Sequence, residues 1–347
     1  MENGKLTIKQ VIAKLVKREN LTRAQASDLM NDILEGHATP AQIGSIATAL
    51  MMKEETIDEI AGLADAMRSK CDRVETERDG LIDIVGTGGD GSNTFNISTA
   101  TAIVVAAGGI RVAKHGNRAA SSKSGSADVL EALGVNIGLN SAQVAECLDS
   151  VGIGFMFAQL HHQSLKHAAG PRKELGVRTV FNILGPLTNP AGADRQLLGV
   201  FDRSKTEIVT MVLHELQIKR AFVVSSHDGL DEISISAPTQ ITELNEGKIR
   251  TFDITPDDFG LRQHPLSEVA GGTPEENAEI IRRILKGERG AYRDIVLANA
   301  AASFYLAGKC KTLQEGVKIA ADLIDSGKAY EKLQDLIKFT GAISHVS

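Results

Sequence analysis

LIDIVGTGGDGSNTFNISTATAIVVAA, residues 81–107, decides the fold class. Leu81 to Val85 is a short, mainly apolar run of the kind a strand buried on both faces shows. A glycine turn, Gly86 to Gly91, follows it, and Ser98 to Ala107 reads as a helix. Strand, glycine loop and helix in succession mark an α/β unit with a parallel sheet. Such a loop lets backbone N–H groups approach anionic oxygens without side-chain clashes, and the helix start behind it favours negative charge.

Outward from that stretch, Gly109 to Ala113 reads as the next strand, and Ala221 to Ser226 and Ile233 to Ser236 as further strands. Ser141 to Ser150 and Lys205 to Leu216 read as helices between them, and from Pro274 onward the pattern is mostly helical. Upstream, a Ser/Thr followed three positions later by Glu/Gln recurs at Thr7 with Gln10, Thr22 with Gln25, Thr39 with Gln42 and Thr56 with Glu59. Each is a capping box, so four helices are expected in a small N-terminal unit. Pro40 suits a first helical position and Gly36 a helix stop. The apolar Ile43, Ile46, Leu50 and Met51 must meet the larger domain or a second copy of the chain. The division expected is a helical domain over 1–75, aided by residues around 165–192, and an α/β domain over 76–347. LGPLTNPAG, Leu184 to Gly192, carries two prolines and two glycines and reads as a hinge or an ordinary loop.

Composition narrows the function classes. The 347 residues carry 38 Lys and Arg against 44 Asp and Glu, a net charge of −6, with 10 Phe, 3 Tyr and no Trp. That charge repels a phosphate backbone and the aromatics are too few for base-stacking platforms, so no nucleic-acid partner is expected. The longest apolar run, Ala102 to Ile110, falls far short of the ~20 residues needed to span a bilayer, so no membrane partner is expected. Cys71, Cys147 and Cys310 form no CxxC pair, and MENGKLTIKQ lacks the apolar stretch of a secretory signal. A reducing, cytoplasmic setting is the expectation.

Gly86, Gly88 and Gly91 spell the dinucleotide fingerprint, but that reading needs an acid at the end of the second strand to hold a ribose. Lys114, His115, Gly116, Asn117 and Arg118 stand there instead. A Walker loop is excluded because no GK[ST] follows. Asn96, Ser98 and Thr99 come where the helix begins; capping and anion binding explain them about equally. Arg111, Lys114, Arg118 and Lys123, without an acid between Gly109 and Ala127 and beside Ser121, Ser122, Ser124 and Ser126, suggest a second phosphate cradle. Asp231 and Glu232, adjacent in the turn-like HDGLDE, read alone as a solvated hairpin tip; beside two phosphate cradles they read as carboxylates that converge on one hard cation. His161, His162 and His167 with Lys166, Arg172 and Lys173 lack zinc spacing and read as a cationic wall or as a polar helix.

In combination, DIVGTGGDGSNTFNIST, KHGNRAASSKSGSAD, RTVFNILGPLTNPA and DGLDEIS, in that order behind four helices, make the chain resemble the anthranilate phosphoribosyltransferase family over nearly its whole length. The resemblance implies a nucleoside phosphorylase/phosphoribosyltransferase-like fold, with a small helical domain and a larger α/β domain around a central sheet. It implies a homodimer, a cleft active site, Mg²⁺, and transfer of phosphoribose from phosphoribosyl pyrophosphate to anthranilate in tryptophan biosynthesis. By the same resemblance Gly86, Gly89, Asp90, Thr94, Asn96, Ile97, Ser98 and Thr99 would hold pyrophosphate. Lys114, His115, Gly116, Asn117, Arg118, Ala119, Ala120, Ser121, Ser122 and Ser126 would hold ribose and phosphates. Ser98, Asp231 and Glu232 would hold the metal; Gly86, Asn117 and Arg172, with His115 and His162 nearby, would contact anthranilate. Gln159, Gln163 and Gly170-Pro171 depart from the family pattern along the expected route of the aromatic acid. A pyrimidine nucleoside phosphorylase of the same fold and a non-catalytic relative are the alternatives.

Overall fold

The computed structural model describes residues 5–119 and 122–343. Four helices open the chain: α1 (Ile8–Val16), α2 (Arg23–Leu34), α3 (Pro40–Lys53) and α4 (Ile57–Lys70). All four expected capping boxes are formed, with the Thr hydroxyl accepting from the N3 amide and the N3 side chain accepting from the cap amide. At Glu59 the box does more: its carboxylate also accepts from Leu21 N and, although fully buried, is paired with Lys53 at 2.9 Å.

The α/β part follows as β1 (Ile82–Gly86), α5 (Ile97–Ala107), β2 (Val112–Gly116), α6 (Ser126–Leu133), α7 (Ser141–Ser150), β3 (Ile153–Phe157), α8 (Ala158–His161), α9 (Lys166–Leu175), α10 (Val180–Leu184), β4 (Arg195–Gly199), α11 (Thr206–Glu215) and β5 (Arg220–Ser226). The antiparallel pair β6 (Thr239–Asn245) and β7 (Lys248–Ile254) comes next, then α12 (Pro274–Leu285), α13 (Ala291–Leu306), α14 (Leu313–Asp325) and α15 (Lys328–Ile343). The strands form one sheet in the order β3-β2-β1-β4-β5-β6-β7, parallel through β5. From β1 the chain winds outward through β2 to β3, then returns to lay β4 on β1's other side. The carboxyl ends of β1 and β4 therefore diverge at a topological switch point, where ligands enter open α/β sheets.

Two apolar clusters cover the two faces. One holds α5 to α7 and α12 to α15; the other joins α1 to α4 with α9 to α11. Ile43, Ile46 and Leu50 are buried in the latter by the chain itself, so of the four apolar residues expected to need a partner only Met51 remains partly open, at 36%.

Two strand expectations need correction. The second strand begins at Val112 and runs through Lys114 and His115, so those side chains leave opposite faces of a strand. Ile233 to Ser236 is not a strand. The Asn299 side chain takes both backbone groups of Ile233, at 3.1 and 2.9 Å, while Ser234 N donates to Thr239 Oγ1. Ile233 and Ile235 are apolar because they are buried, and side chains satisfy a backbone that a neighbouring strand would otherwise pair.

Candidate active site

A cavity of about 390 Å³ opens at the switch point between β1 and β4. Its floor is the glycine loop after β1. Gly88 and Gly89 have φ of +68° and +72°, the left-handed region that favours glycine. Beside them the chain packs so closely that a Cβ at Gly86 would stand 2.5 Å from Asp231 Oδ2, and one at Gly199 would stand 1.6 Å from the Asp231 carbonyl oxygen. The loop and the Asp231 turn thus hold each other: Gly88 N donates to Asp231 Oδ2 at 2.6 Å, and Thr87 N to Gly199 O at 2.9 Å.

Asp90, Asp231 and Glu232 bring three carboxylates to this floor. Asp90 Oδ2 accepts from Ser92 Oγ at 2.6 Å and lies 3.5 Å from Asp231 N. Burial pushes the Asp231 carboxyl well above the usual carboxylate range, and the charge of Asp90 adds to the shift. Glu232 rises for the same first reason, with Asp231 as the second. Lys114 opposes them from β2. The residue is buried, and its ammonium donates to Ile84 O at 2.7 Å and Ser98 Oγ at 3.1 Å and loses proton affinity through burial, against the pull of Asp83 and Glu232. Burial thus favours the neutral forms of Asp231 and Glu232, and a divalent cation can take the place of their protons.

The hard oxygens of Ser98, Asp231 and Glu232 suit Mg²⁺, which takes few protein ligands and fills its shell with water and phosphate oxygens. Among the described residues, the trio of possible ligands lying within 4.8 Å of one another is a different one, Asp32, Glu35 and His37. Lys5 and Lys70 already neutralise its two acids, at 2.6 and 2.9 Å.

The second wall is the stretch after β2. Gly116, Asn117, Arg118, Ala119, Ser122 and Ser126 line the cavity, whereas Ala120 and Ser121 lie outside the described residues. The expected cation cradle is only partly there. Arg111 points away, to Asp149 and the Glu77 carbonyl; Lys123 is exposed and off the cavity; Arg118 lines it but is paired with Asp128 at 2.9 Å and with Glu131. The acids that neutralise Arg118 begin at Asp128, one residue past the acid-free stretch. Asn96 is the first residue before α5, yet its side chain makes no cap. It ties the glycine loop to the serine loop through Ser124 Oγ and O, both at 3.1 Å, and to Asn277 at 2.9 Å. Thr94, Ile97 and Ser98 line the cavity, while Thr99 turns into the core with its hydroxyl unpartnered.

The third wall comes from the opposite face. Of the histidine cluster, His162 and Arg172 reach the cavity, and Lys166, His167 and Lys173 do not. His161 is buried with Nδ1 3.1 Å from Asp72 O, and His167 packs on Gly36. His162 Nε2 donates to Thr188 O at 3.1 Å, and burial lowers its pKa to about 4. Its ring lies 5.1 Å from that of His115, whose pKa burial holds well below 6.5. Both imidazoles are therefore neutral at pH 7, and His115 Nε2 is buried without a partner.

Two contributors escaped the sequence reading. LGPLTNPAG belongs to the site: Leu184, Gly185, Pro186 and Thr188 form cavity wall, and Asn189 is bolted to Asp83 and to Ala113 O, both at 2.8 Å. Asp83, buried in β1, also accepts from His115 N at 3.3 Å, and burial raises its pKa to about 6. A carboxylate inside an apolar-looking strand, and an asparagine after a proline loop, were the available signals.

The chain was compared with known proteins. The family profile described as glycosyl transferase family, a/b domain, matches residues 78–330, and the helical bundle domain of the same family matches 9–71. The anthranilate phosphoribosyltransferase of Acetivibrio thermocellus is 53% identical, over 96% of this chain and 97% of its own. The crystal structure of the Thermus thermophilus enzyme of that name superposes with a TM-score of 0.91 at 43% identity, covering 95% of this chain and 99% of that one. The Saccharomyces cerevisiae enzyme in complex with phosphoribosyl pyrophosphate and Mg superposes at 0.89 and 30% identity, covering 96% and 98%. A further structure of the yeast enzyme holds 4-fluoroanthranilate, at 0.87 and 29%, covering 97% and 99%. With a switch-point cavity, paired acids and this extent of likeness, the chain belongs to the anthranilate phosphoribosyltransferase family.

Proposed function

We propose that this protein transfers the phosphoribosyl group of 5-phosphoribosyl 1-pyrophosphate to the amine of anthranilate, releasing pyrophosphate, in tryptophan biosynthesis. The observation that carries the reading is one cavity that joins a bare glycine loop, a buried lysine and two buried acids to a wall of neutral histidines and an arginine. The first group suits a diphosphate with its metal, and the second suits an aromatic carboxylic acid.

Substitution at the anomeric carbon builds positive charge on the sugar and negative charge on the departing diphosphate. The backbone amides of Gly89 and Asp90 and the Lys114 ammonium face that negative charge, the kind of electrostatic preorganisation that supplies the largest share of many rate enhancements. Asn96, Ser98, Asn117 and Ser126 hold the ribose and its phosphate between the two loops. Ser98, Asp231 and Glu232 would hold Mg²⁺, which when bound neutralises diphosphate charge. Arg172, over the Phe181 ring at 5.4 Å, offers a guanidinium to the anthranilate carboxylate. The buried, unpartnered Nε2 of neutral His115 can accept a hydrogen bond from the amine. Holding amine and sugar together replaces a bimolecular encounter, an effect worth about 7–11 kcal/mol in well-oriented cases.

The chain acts as a homodimer through the helical bundle, whose Val16, Met51 and Met52 stand exposed. Free thiols at Cys71, Cys147 and Cys310 suit a reducing cytoplasm, and among the described residues no helix is long and apolar enough to cross a membrane. The test is an initial-rate assay with anthranilate, the diphosphate and Mg²⁺, in which one pyrophosphate should form per anthranilate consumed, and nothing without the diphosphate. Phosphorolysis of uridine or thymidine in place of that reaction would move the protein to the nucleoside phosphorylases.

A further inference from the structure

The cations of the cavity are largely spoken for. Lys114 is enclosed among Asp83, Glu232, Ser98 and the Ile84 carbonyl, and Arg118 is neutralised by Asp128 and Glu131. Arg178 is outside the lining of that cavity and lies behind its glycine loop. It lies in the turn between α9 and α10, is exposed, and among the described residues has no acid within 4.0 Å. What fixes it is a ring: its guanidinium carbon sits 4.0 Å from the Phe201 centroid, just past the end of β4. That seat presses it onto the glycine loop. A Cβ built on Gly89 would lie 3.5 Å from Arg178 Nε and 3.7 Å from Nη2.

Arg178 borders an outer cavity of about 590 Å³, shared with Arg203, with Asp202 and with buried Ser225, whose hydroxyl is unpartnered. An unpaired guanidinium is thus held by an aromatic face between the diphosphate loop and solvent. Its planar fork matches two phosphate oxygens at once, which a lysine cannot do.

We propose that Arg178 binds the pyrophosphate group from the outer side of the glycine loop, as an additional leaving-group contact that complements Lys114 on the inner side. The inference rests on the phosphoribosyl-transfer reading. As the bond from the anomeric carbon to the bridging oxygen breaks, both its electrons stay on the diphosphate, and the guanidinium faces that growing charge without giving up a proton. Phe201 serves as its positioning residue.

The test compares wild type with Arg178→Ala, Arg178→Lys and Phe201→Ala. Loss of one charged contact should raise the KM for the diphosphate and the inhibition constant of product pyrophosphate about tenfold in Arg178→Ala. The KM for anthranilate should stay within about twofold of wild type by the same reasoning. Arg178→Lys should recover part of the loss, and Phe201→Ala should shift the same two constants in the same direction. Calorimetric titration of Mg-pyrophosphate into wild type and Arg178→Ala reads the contact without turnover. Weaker pyrophosphate binding by the variant supports the contact even if the wild type fails to use anthranilate, so the two readings fail separately. Unchanged pyrophosphate binding and inhibition in Arg178→Ala, or an equal rise in both KM values, overturns the proposal.

Discussion

At the scale of single residues, the site keeps charges where the fold alone would not. Glu232 and Asp231 are buried beside each other and beside Asp90, and their raised pKa values record that cost. Burial raises the Glu232 pKa to about 8, so its charge costs stability only in base; without metal, Glu232→Gln should melt at a higher temperature than wild type at pH 9, and with Mg²⁺ it should lose turnover at least a hundredfold, on the order expected for a lost electrostatic contact. A variant that is both less stable and inactive would show the carboxylate to be structural. Arg172→Ala separates the substrates: the KM for anthranilate should rise by roughly 10- to 100-fold, the loss of one charge-assisted hydrogen bond, with the KM for the diphosphate little changed. Steady-state kinetics with each substrate varied in turn checks it.

At the scale of elements, the loop after α10 is a structural member of the site. Asn189 satisfies Asp83, the Ala113 carbonyl and the Ala191 amide, so it couples β1, β2 and its own loop. Asn189→Ala removes a buried partner from each of those three groups, leaving Asp83 only the His115 amide, and should cost on the order of 3 kcal/mol of unfolding free energy, read from urea titration. This coupling was not legible in the sequence, because proline and glycine announce a break in regular structure but not what the break touches. Local signals did better. The four Thr-x-x-Gln/Glu boxes are satisfied within one helical turn, so the helices they start could be read in place. Ile233 to Ser236 misled because burial and strand pairing leave the same apolar trace, and Asn299, which replaces the pairing, is distant in sequence. Arg118 misled likewise, since Asp128 and Glu131 meet it only after α6 folds back. The glycine loop, Lys114 and the Asp231-Glu232 pair, singled out in the sequence by residue type alone, do line one cavity.

For the whole molecule, the buried acids link folding to pH and to the metal. Asp231 and Glu232 have folded pKa values above their ordinary 3.8 and 4.5, so between those values and the raised ones the native state holds more protons than the unfolded chain. Their contribution to stability is present in acid and is lost as pH rises through the folded pKa values. Mg²⁺ competes with those protons, so it should raise the melting temperature more at pH 8 than at pH 5.5. Scanning calorimetry with and without Mg²⁺ at both pH values measures this, and an equal or larger effect at the acid pH would place the metal elsewhere.

In the proposed reaction the diphosphate is gripped jointly by the glycine loop, Lys114 and a cation tethered to two acids. A crystal structure of the protein with phosphoribosyl pyrophosphate and Mg²⁺ measures that directly. The expected density puts the diphosphate over Gly88 and Gly89, with the metal touching Asp231 or Glu232 and Lys114 within ion-pair distance of a phosphate oxygen. Sugar diphosphate bound away from all three would contradict it.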